Sequence, residues 1–282
     1  MNRLILIGNG FDLAHGLKTS YNDFILSYIN GCFTEAWTKY NYDDDSIAIR
    51  RTAVMNEFPI SSFRDLSQYL NHFYTTGYLP LLRNMEIDFK SSRYKPFFEV
   101  KVKRPFLEHL LLNCGTSQWV DIENEFYHQL KLILHSQLND DKSVRLRELN
   151  DSLASIIVRL EIYLNGLETP PVLKQYRELF LSDIKSIEVP LDKLRVNEYP
   201  RKTHIVNFNY TSTVQKYFST HSNSNVTINY IHGKLNDPKN RLVFGFGDEL
   251  DDDYLKMEKE RIKGYFEYIK SFWYSKRLTT GS

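Results

Sequence analysis

The sequence predicts an α/β protein, with strands near the two ends of the chain and a large helical insertion between them. Three observations carry this. An apolar run, Leu4-Ile5-Leu6-Ile7, stops at Gly8-Asn9-Gly10. A long middle stretch repeats apolar residues at helical spacing. After about position 200, runs of β-branched and aromatic residues return.

Leu4 to Ile7 are all apolar, as suits a parallel strand covered on both faces, and glycine and asparagine then allow a sharp turn. Ser20 is a good helix N-cap with Asp23 three residues on, and Tyr21, Phe24, Ile25, Tyr28 and Ile29 form one apolar stripe that Gly31 is expected to end. Residues 45–180 are expected to be mainly helical. Leu66, Tyr69, Leu70 and Phe73 repeat at helical spacing, as do Leu107, Leu110 and Leu111, then Phe126, Leu130 and Ile133, then Leu149, Leu153, Ile156, Ile157 and Leu160. Thr169-Pro170-Pro171 breaks that pattern. His204–Phe208, Val226–Ile231 and Arg241–Phe244 read as strands, and a last helix is expected over 252–274. The whole chain, 1–282, is expected to be one domain, with 1–31 and 200–275 as its α/β core and 45–180 as the insertion.

An aromatic content of 14%, carried by 19 Tyr and 18 Phe, argues against disorder. Lys and Arg number 36 against 35 Asp and Glu, so no basic field points to nucleic acid as a partner. Lys101-Val102-Lys103-Arg104 is expected to be solvated surface. Cys32 and Cys114 form no CxxC and are expected to be buried thiols, and no metal site is expected. The first apolar run has four residues, too short for a secretory signal, and no stretch approaches the ~20 apolar residues of a membrane span. No membrane association is expected, and a cytoplasmic location is.

Four strand candidates end in small or polar residues: Gly8-Asn9-Gly10, Asn209-Tyr210-Thr211, His232-Gly233 and Gly245-Phe246-Gly247. If the strands are parallel, these ends converge on the edge where open α/β sheets bind ligands. Gly8-Asn9-Gly10-Phe11-Asp12-Leu13 has two glycines of a dinucleotide fingerprint and Leu13 in place of the third. Asp12 fits a ribose hydroxyl or the capping of the next segment. His232 has a side chain suited to proton transfer near neutral pH, and alone it is as well explained by structure. Asp121, Glu123 and Glu125 stand at a probable helix N-terminus, which stabilises negative charge. Asp121 or Glu123 could also lie at a site mouth. Asp43-Asp44-Asp45 and Asp248 to Asp253 are expected in solvated loops or helix starts.

The stretch Ile5 to Leu17, followed by Thr19-Ser20-Tyr21 and Phe24, closely resembles the opening of the AbiH family, bacterial proteins of abortive infection against bacteriophage. Trp119, Asp121 and Glu123, the run Val206 to Thr211, His232-Gly233 and Val243 to Asp248 resemble it too. AbiH proteins in turn look like distant relatives of sirtuin-type domains. That likeness implies a Rossmann-like (sirtuin-like) parallel sheet interrupted by the helical insertion. It also implies NAD or a related nucleotide as substrate or ligand, with no further cofactor.

By that resemblance, Gly8, Asn9, Gly10, Phe11 and Asp12 would meet the nucleotide, joined by Tyr21, Tyr210, Thr211, Gly233 and Gly245. Phe11 and Tyr21 would close over the site. Asn209 and His232 would be catalytic, one orienting water on the ribose and the other taking a proton. Thr211 departs from the acid expected after Asn-Tyr, and Arg277 to Ser282 lack the Gly-His-Ser-like element of related chains. No four-cysteine zinc site is present, which argues against a deacetylase. The expected function is an antiphage effector that hydrolyses NAD. The alternatives are a nucleotide sensor without turnover and a nuclease using metal held by Asp121, Glu123 and Glu125. A phage-derived trigger, a partner defence protein and a homo-oligomer are expected partners.

Overall fold

In the computed structural model, the described residues are 2–51, 98–117, 121–136, 141–185, 200–219, 225–247 and 251–270. The Leu66–Phe73 repeat, the Cys114 side chain, Trp119, Asp248 and Arg277–Ser282 lie outside them. The chain is mixed α/β and divides into two compact units. One comprises residues 1–20 and 164–243, the other 21–163 and 244–282.

The first unit is built on a parallel sheet ordered β1-β5-β6: β1 (Asn2–Ile7), β5 (Lys202–Asn207) and β6 (Val226–Tyr230). Ile5 pairs with Ile205 and Ile205 with Ile228, so one row of β-branched residues crosses the sheet. Behind it pack Ile7, Phe11, Phe180, Val214 and Tyr217, with Tyr176 and Phe218 at the margin. Burial of each large side chain there contributes roughly 1.5–3 kcal/mol. Leu4 and Leu6 point the other way and are 65% and 66% exposed, so β1 is an edge strand covered on one face rather than on both.

Gly8-Asn9-Gly10 is not a free turn. Gly8, extended at φ −118°, precedes the short helix α1 (Asn9–Ala14). Arg241–Phe244, expected as a fourth parallel strand, is irregular. Its place is set by the Val243 N–H, which donates to the His232 carbonyl at 2.7 Å.

In the second unit, α2 (Tyr21–Lys39) runs through Gly31 instead of ending there. Ile25, Ile29, Cys32, Phe33 and Ala36 continue one buried stripe. Their burial outweighs the ~1 kcal/mol that a mid-helix glycine costs. An antiparallel sheet follows, formed by β2 (Asn41–Asp43), β3 (Ile47–Arg51) and β4 (Phe98–Val102), the last two lying in the 45–180 stretch expected to be mainly helical. Ile47 and Ile49 are buried in a period of two, the strand signature. Among the described residues the remaining α-helices are α3 (Pro105–Ser117), α4 (Ile122–Leu134), α5 (Lys142–Asn165), α6 (Lys174–Leu181, in the first unit) and α7 (Asp252–Glu260). The expected helix over 252–274 stops early, because Arg261 is left-handed at φ 55° and a 3₁₀ turn, Lys263–Phe266, follows. Among the described residues, no helix is long and apolar enough to cross a membrane.

The acidic run before β3 is a junction rather than a solvated loop. Asp44 accepts from the Tyr28 and Tyr42 hydroxyls, each at 2.7 Å, from the Ser46 and Ile47 N–H groups at 2.8 and 2.7 Å, and from Arg159 at 2.8 Å. Lys103 pairs with Asp43, and Arg104 donates to the Asp45 carbonyl at 3.2 Å, so two of the three basic residues of that run are committed. Burial pushes the Asp44 carboxyl up, but its donors outweigh that and hold it at about 2. The depressed value stabilises the fold above the unfolded carboxyl value near ~3.9, and the gain is lost as pH falls through about 2. Asp44→Asn should lower stability at pH ~7 by about 2 kcal/mol or more. Urea unfolding of variant and wild type at pH ~7 and pH ~2 should show that difference shrinking at the lower pH.

Candidate functional site

The carboxyl ends of β1, β5 and β6 lie side by side, with Ile7 against Asn207 and Asn207 against Tyr230. Asn209 and His232 each stand two residues beyond the last paired position. Gly8, Asn9, Gly10, Phe11, Asp12, Tyr210, Thr211 and Gly233 share this unit.

Asn209 is 7% exposed, and its side-chain amide donates to the Gly8 carbonyl at 3.0 Å. Its own N–H donates to Asn207 Oδ1 at 3.1 Å. It therefore ties the loop after β5 to the end of β1.

Asp12 is 1% exposed. Its Oδ2 accepts from the Thr211 hydroxyl at 2.6 Å, and the Thr213 hydroxyl lies 3.1 Å from that of Thr211. Its Oδ1, also buried, has no hydrogen-bond partner among the described residues. Burial raises the Asp12 carboxyl above its ordinary value. The two threonine hydroxyls, His15 and Asn209 counter this only in part. A buried acceptor left with one lone oxygen is costly and needs a reason.

His232 is half-buried, with its ring edge-to-face against Phe208 at 5.6 Å and tilted against Tyr210 at 6.2 Å. Gly233 is required by the fold: its φ is +87°, and a Cβ there would lie 2.1 Å from the Arg241 carbonyl oxygen. Gly8 and Gly10 differ. A Cβ on either would meet nothing within 4 Å, and neither has a positive φ. Asn9 Oδ1 accepts from the Thr19 hydroxyl at 2.6 Å.

Phe11 lies in the core, 8% exposed, against His15, Tyr176, Phe180 and Tyr217 rather than over an opening. His15 Nδ1 is 2.6 Å from the Phe11 carbonyl, an acceptor only, so this nitrogen carries the proton. His15 Nε2 lies 2.5 Å from the Tyr217 hydroxyl, whose oxygen accepts from the Leu173 N–H at 2.9 Å. This relay anchors α1 to the start of α6.

Comparison with known families decides where the chain belongs. A family model described as bacteriophage abortive infection AbiH matches residues 4–276. The chain belongs to the AbiH family. No curated protein matches it, and no solved structure does.

Two expected site residues of this AbiH chain, Tyr21 and Gly245, fall in the second unit. Gly245 has φ +148°, and a Cβ there would lie 1.9 Å from the Tyr268 carbonyl oxygen. Its N–H donates to Glu123 Oε1 at 3.0 Å, and Lys270 donates to Oε2 at 2.7 Å. Burial raises the Glu123 carboxyl, and Lys270 offsets that only in part. Tyr21 packs edge-to-face on Phe244 at 5.7 Å. Burial, then the charges of Glu123 and Asp121, push its hydroxyl well up.

Asp121 caps α4, accepting from the Glu123 and Asn124 N–H groups at 3.2 and 3.1 Å. Glu125 instead meets His109 and His128. The three acids thus face three separate sets of partners. Sequence reasoning gave no site role to Thr213 or Asn207, and it grouped Glu125 with Asp121 and Glu123 rather than with His109 and His128. Only that last grouping left a signal, the Glu-x-x-His spacing from Glu125 to His128.

The two kinds of glycine are separable. Gly233→Ala should destabilise the chain by roughly 3 kcal/mol or more, whereas Gly10→Ala should leave stability within about 1 kcal/mol of wild type, as read by thermal unfolding. Asp12 predicts a pH trend of the opposite sign to Asp44. A raised folded value removes stability as pH climbs from the unfolded value near ~3.9 through the folded one. Asp12→Asn should therefore unfold at a higher temperature than wild type near pH ~8, with the advantage gone near pH ~3.

Proposed function

We propose that this AbiH protein acts in abortive infection against bacteriophage by binding a nucleotide of the NAD type at the carboxyl edge of its parallel sheet. The observation that carries the reading is Asp12 Oδ1, a buried acceptor with no hydrogen-bond partner among the described residues, in the same segment as two glycines that packing does not require. A ribose hydroxyl donating to Oδ1 would satisfy it, as the Thr211 hydroxyl satisfies Oδ2. Bare backbone at Gly8 and Gly10 gives phosphate oxygens room to approach. The family supports the defence role. The Rossmann-like, sirtuin-like character supports the choice of nucleotide, and it belongs to this proposal.

The chemistry we assign is hydrolysis of the nicotinamide–ribose bond. Water adds to the anomeric carbon as nicotinamide leaves through an oxocarbenium-like state, and the water's proton passes to the imidazole of His232. The products are nicotinamide, ADP-ribose and a proton. Asn209 fixes the Gly8 carbonyl, and with it the edge on which the ribose would sit.

Two observations favour a second reading, a sensor that binds without turnover. The Asn209 amide is already committed to Gly8, and Thr211 stands where the sirtuin-type pattern has an acid.

Purified protein titrated with NAD by calorimetry, with nicotinamide release followed in parallel, separates the readings. Asp12→Asn should weaken binding at least ~10-fold while folding normally, since a lost charge-assisted hydrogen bond costs ~1.5–3 kcal/mol, and Gly10→Ala should weaken it by placing a methyl group where phosphate would approach. His232→Ala should abolish release and spare binding. Binding without release, even with phage lysate added, selects the sensor. Absence of any NAD binding overturns both.

A further inference from the structure

We propose that His109, Glu125 and His128 form a binding site for one first-row divalent cation of the Zn²⁺ class, which clamps α3 to α4. The site is independent of the nucleotide reading. His109 comes from α3, whereas Glu125 and His128 are three residues apart on α4 and so share a face. The offered atoms, His109 Nε2, Glu125 Oε1 and His128 Nδ1, all lie within 4.8 Å of one another. His109 Nε2 is 2.5 Å and His128 Nδ1 3.1 Å from Glu125 Oε1. Zn²⁺ ligands at ~2.0–2.1 Å in a tetrahedron stand ~3.3 Å apart, so small rotations of the two rings suffice.

The donor set selects the ion. Two imidazoles with one carboxylate suit Zn²⁺, Co²⁺ or Ni²⁺, whereas Ca²⁺ and Mg²⁺ require mostly oxygen. The carboxylate is oriented before any metal arrives. Asn113 donates to Glu125 Oε2 at 2.9 Å, and Gln129 donates to Oε1 at 3.3 Å. Such outer partners hold a ligating carboxylate in place. The His128 side chain is 55% exposed, so water can supply the remaining ligand. The clamp would act on the helix whose first turn carries Glu123 and, through it, Gly245 and Lys270.

The competing description is a pair of histidines ion-paired to Glu125 with no affinity for metal. Untagged protein stripped with EDTA and dialysed should be titrated with Co²⁺, following its visible d–d absorption, and then with Zn²⁺ in competition. The expected result is one ion per chain, displaced by Zn²⁺ and not by Mg²⁺. Affinity should fall at least ~10-fold in His128→Ala and in Glu125→Gln, and Gln129→Leu should weaken it within the ~10–100-fold range of an outer partner. Zn²⁺ should raise the unfolding temperature of wild type and not of His128→Ala. That variant removes an exposed ring, so its fold is checked simply by circular dichroism. No saturable binding, displacement by Mg²⁺, or binding of wild-type strength in both His109→Ala and His128→Ala overturns the site.

Discussion

The parallel register of β1 against β5 is the constraint on which the first unit depends. It sets Ile7 beside Asn207, and so Gly8 beside Asn209 and Asp12 beside Thr211, pairs separated by 201 and 199 positions in sequence. Closing so long an interval costs chain entropy, though only logarithmically in its length. The Ile5, Ile205 and Ile228 row offsets it, because a one-residue slip would turn these side chains away from the core that holds Phe11 and Phe180. The polar edge is thus placed by an apolar register. None of its own hydrogen bonds has to bear that load.

Three withdrawn carboxylates show what the fold provides for itself. Asp44 has five donors and sits at about 2, which marks it as structural. Glu123 has a backbone N–H on one oxygen and an ammonium on the other, so both oxygens are satisfied even though burial raises its value. Asp12 has the Thr211 hydroxyl on one oxygen and no hydrogen bond to the other among the described residues. The donor supply therefore ranks them. Asp44 and Glu123 hold segments together, whereas Asp12 retains capacity that the described residues do not use.

Elements whose apolar pattern is contiguous were legible in the sequence. β1, β5 and β6 fall where runs of Leu, Ile, Val and Phe place them, and α4 and α5 follow their stripes. What failed depended on distant partners. β3 has five residues, and although it pairs locally with β2, its other partner β4 begins about fifty residues later, so the local mark of sheet is short. Leu242-Val243-Phe244 has strand composition, but Gly233 and the His232 carbonyl hold it as an irregular segment. At the site, Asn209 was recognisable as a strand end. The fate of Asp12 was not, because its burial is decided by Thr211 and Thr213 from the far end of the chain.

Glycine shows why residue identity alone cannot assign a site. Gly8, Gly10, Gly233 and Gly245 look equivalent in sequence, each following an apolar run. At Gly233 and Gly245, carbonyl oxygens stand where a Cβ would be, and positive φ reinforces the demand. Those two glycines are explained without any ligand. At Gly8 and Gly10 neither reason operates, and a Cβ on either would meet nothing within 4 Å. The edge is therefore asymmetric. Around β6 the His-Gly pair is locked by the chain's own packing, because a Cβ at position 233 would strike the Arg241 carbonyl, whereas at the end of β1 no such demand fixes Gly8 or Gly10. The glycines after β1 and those after β6 therefore answer to different constraints, although both follow strands of one parallel sheet.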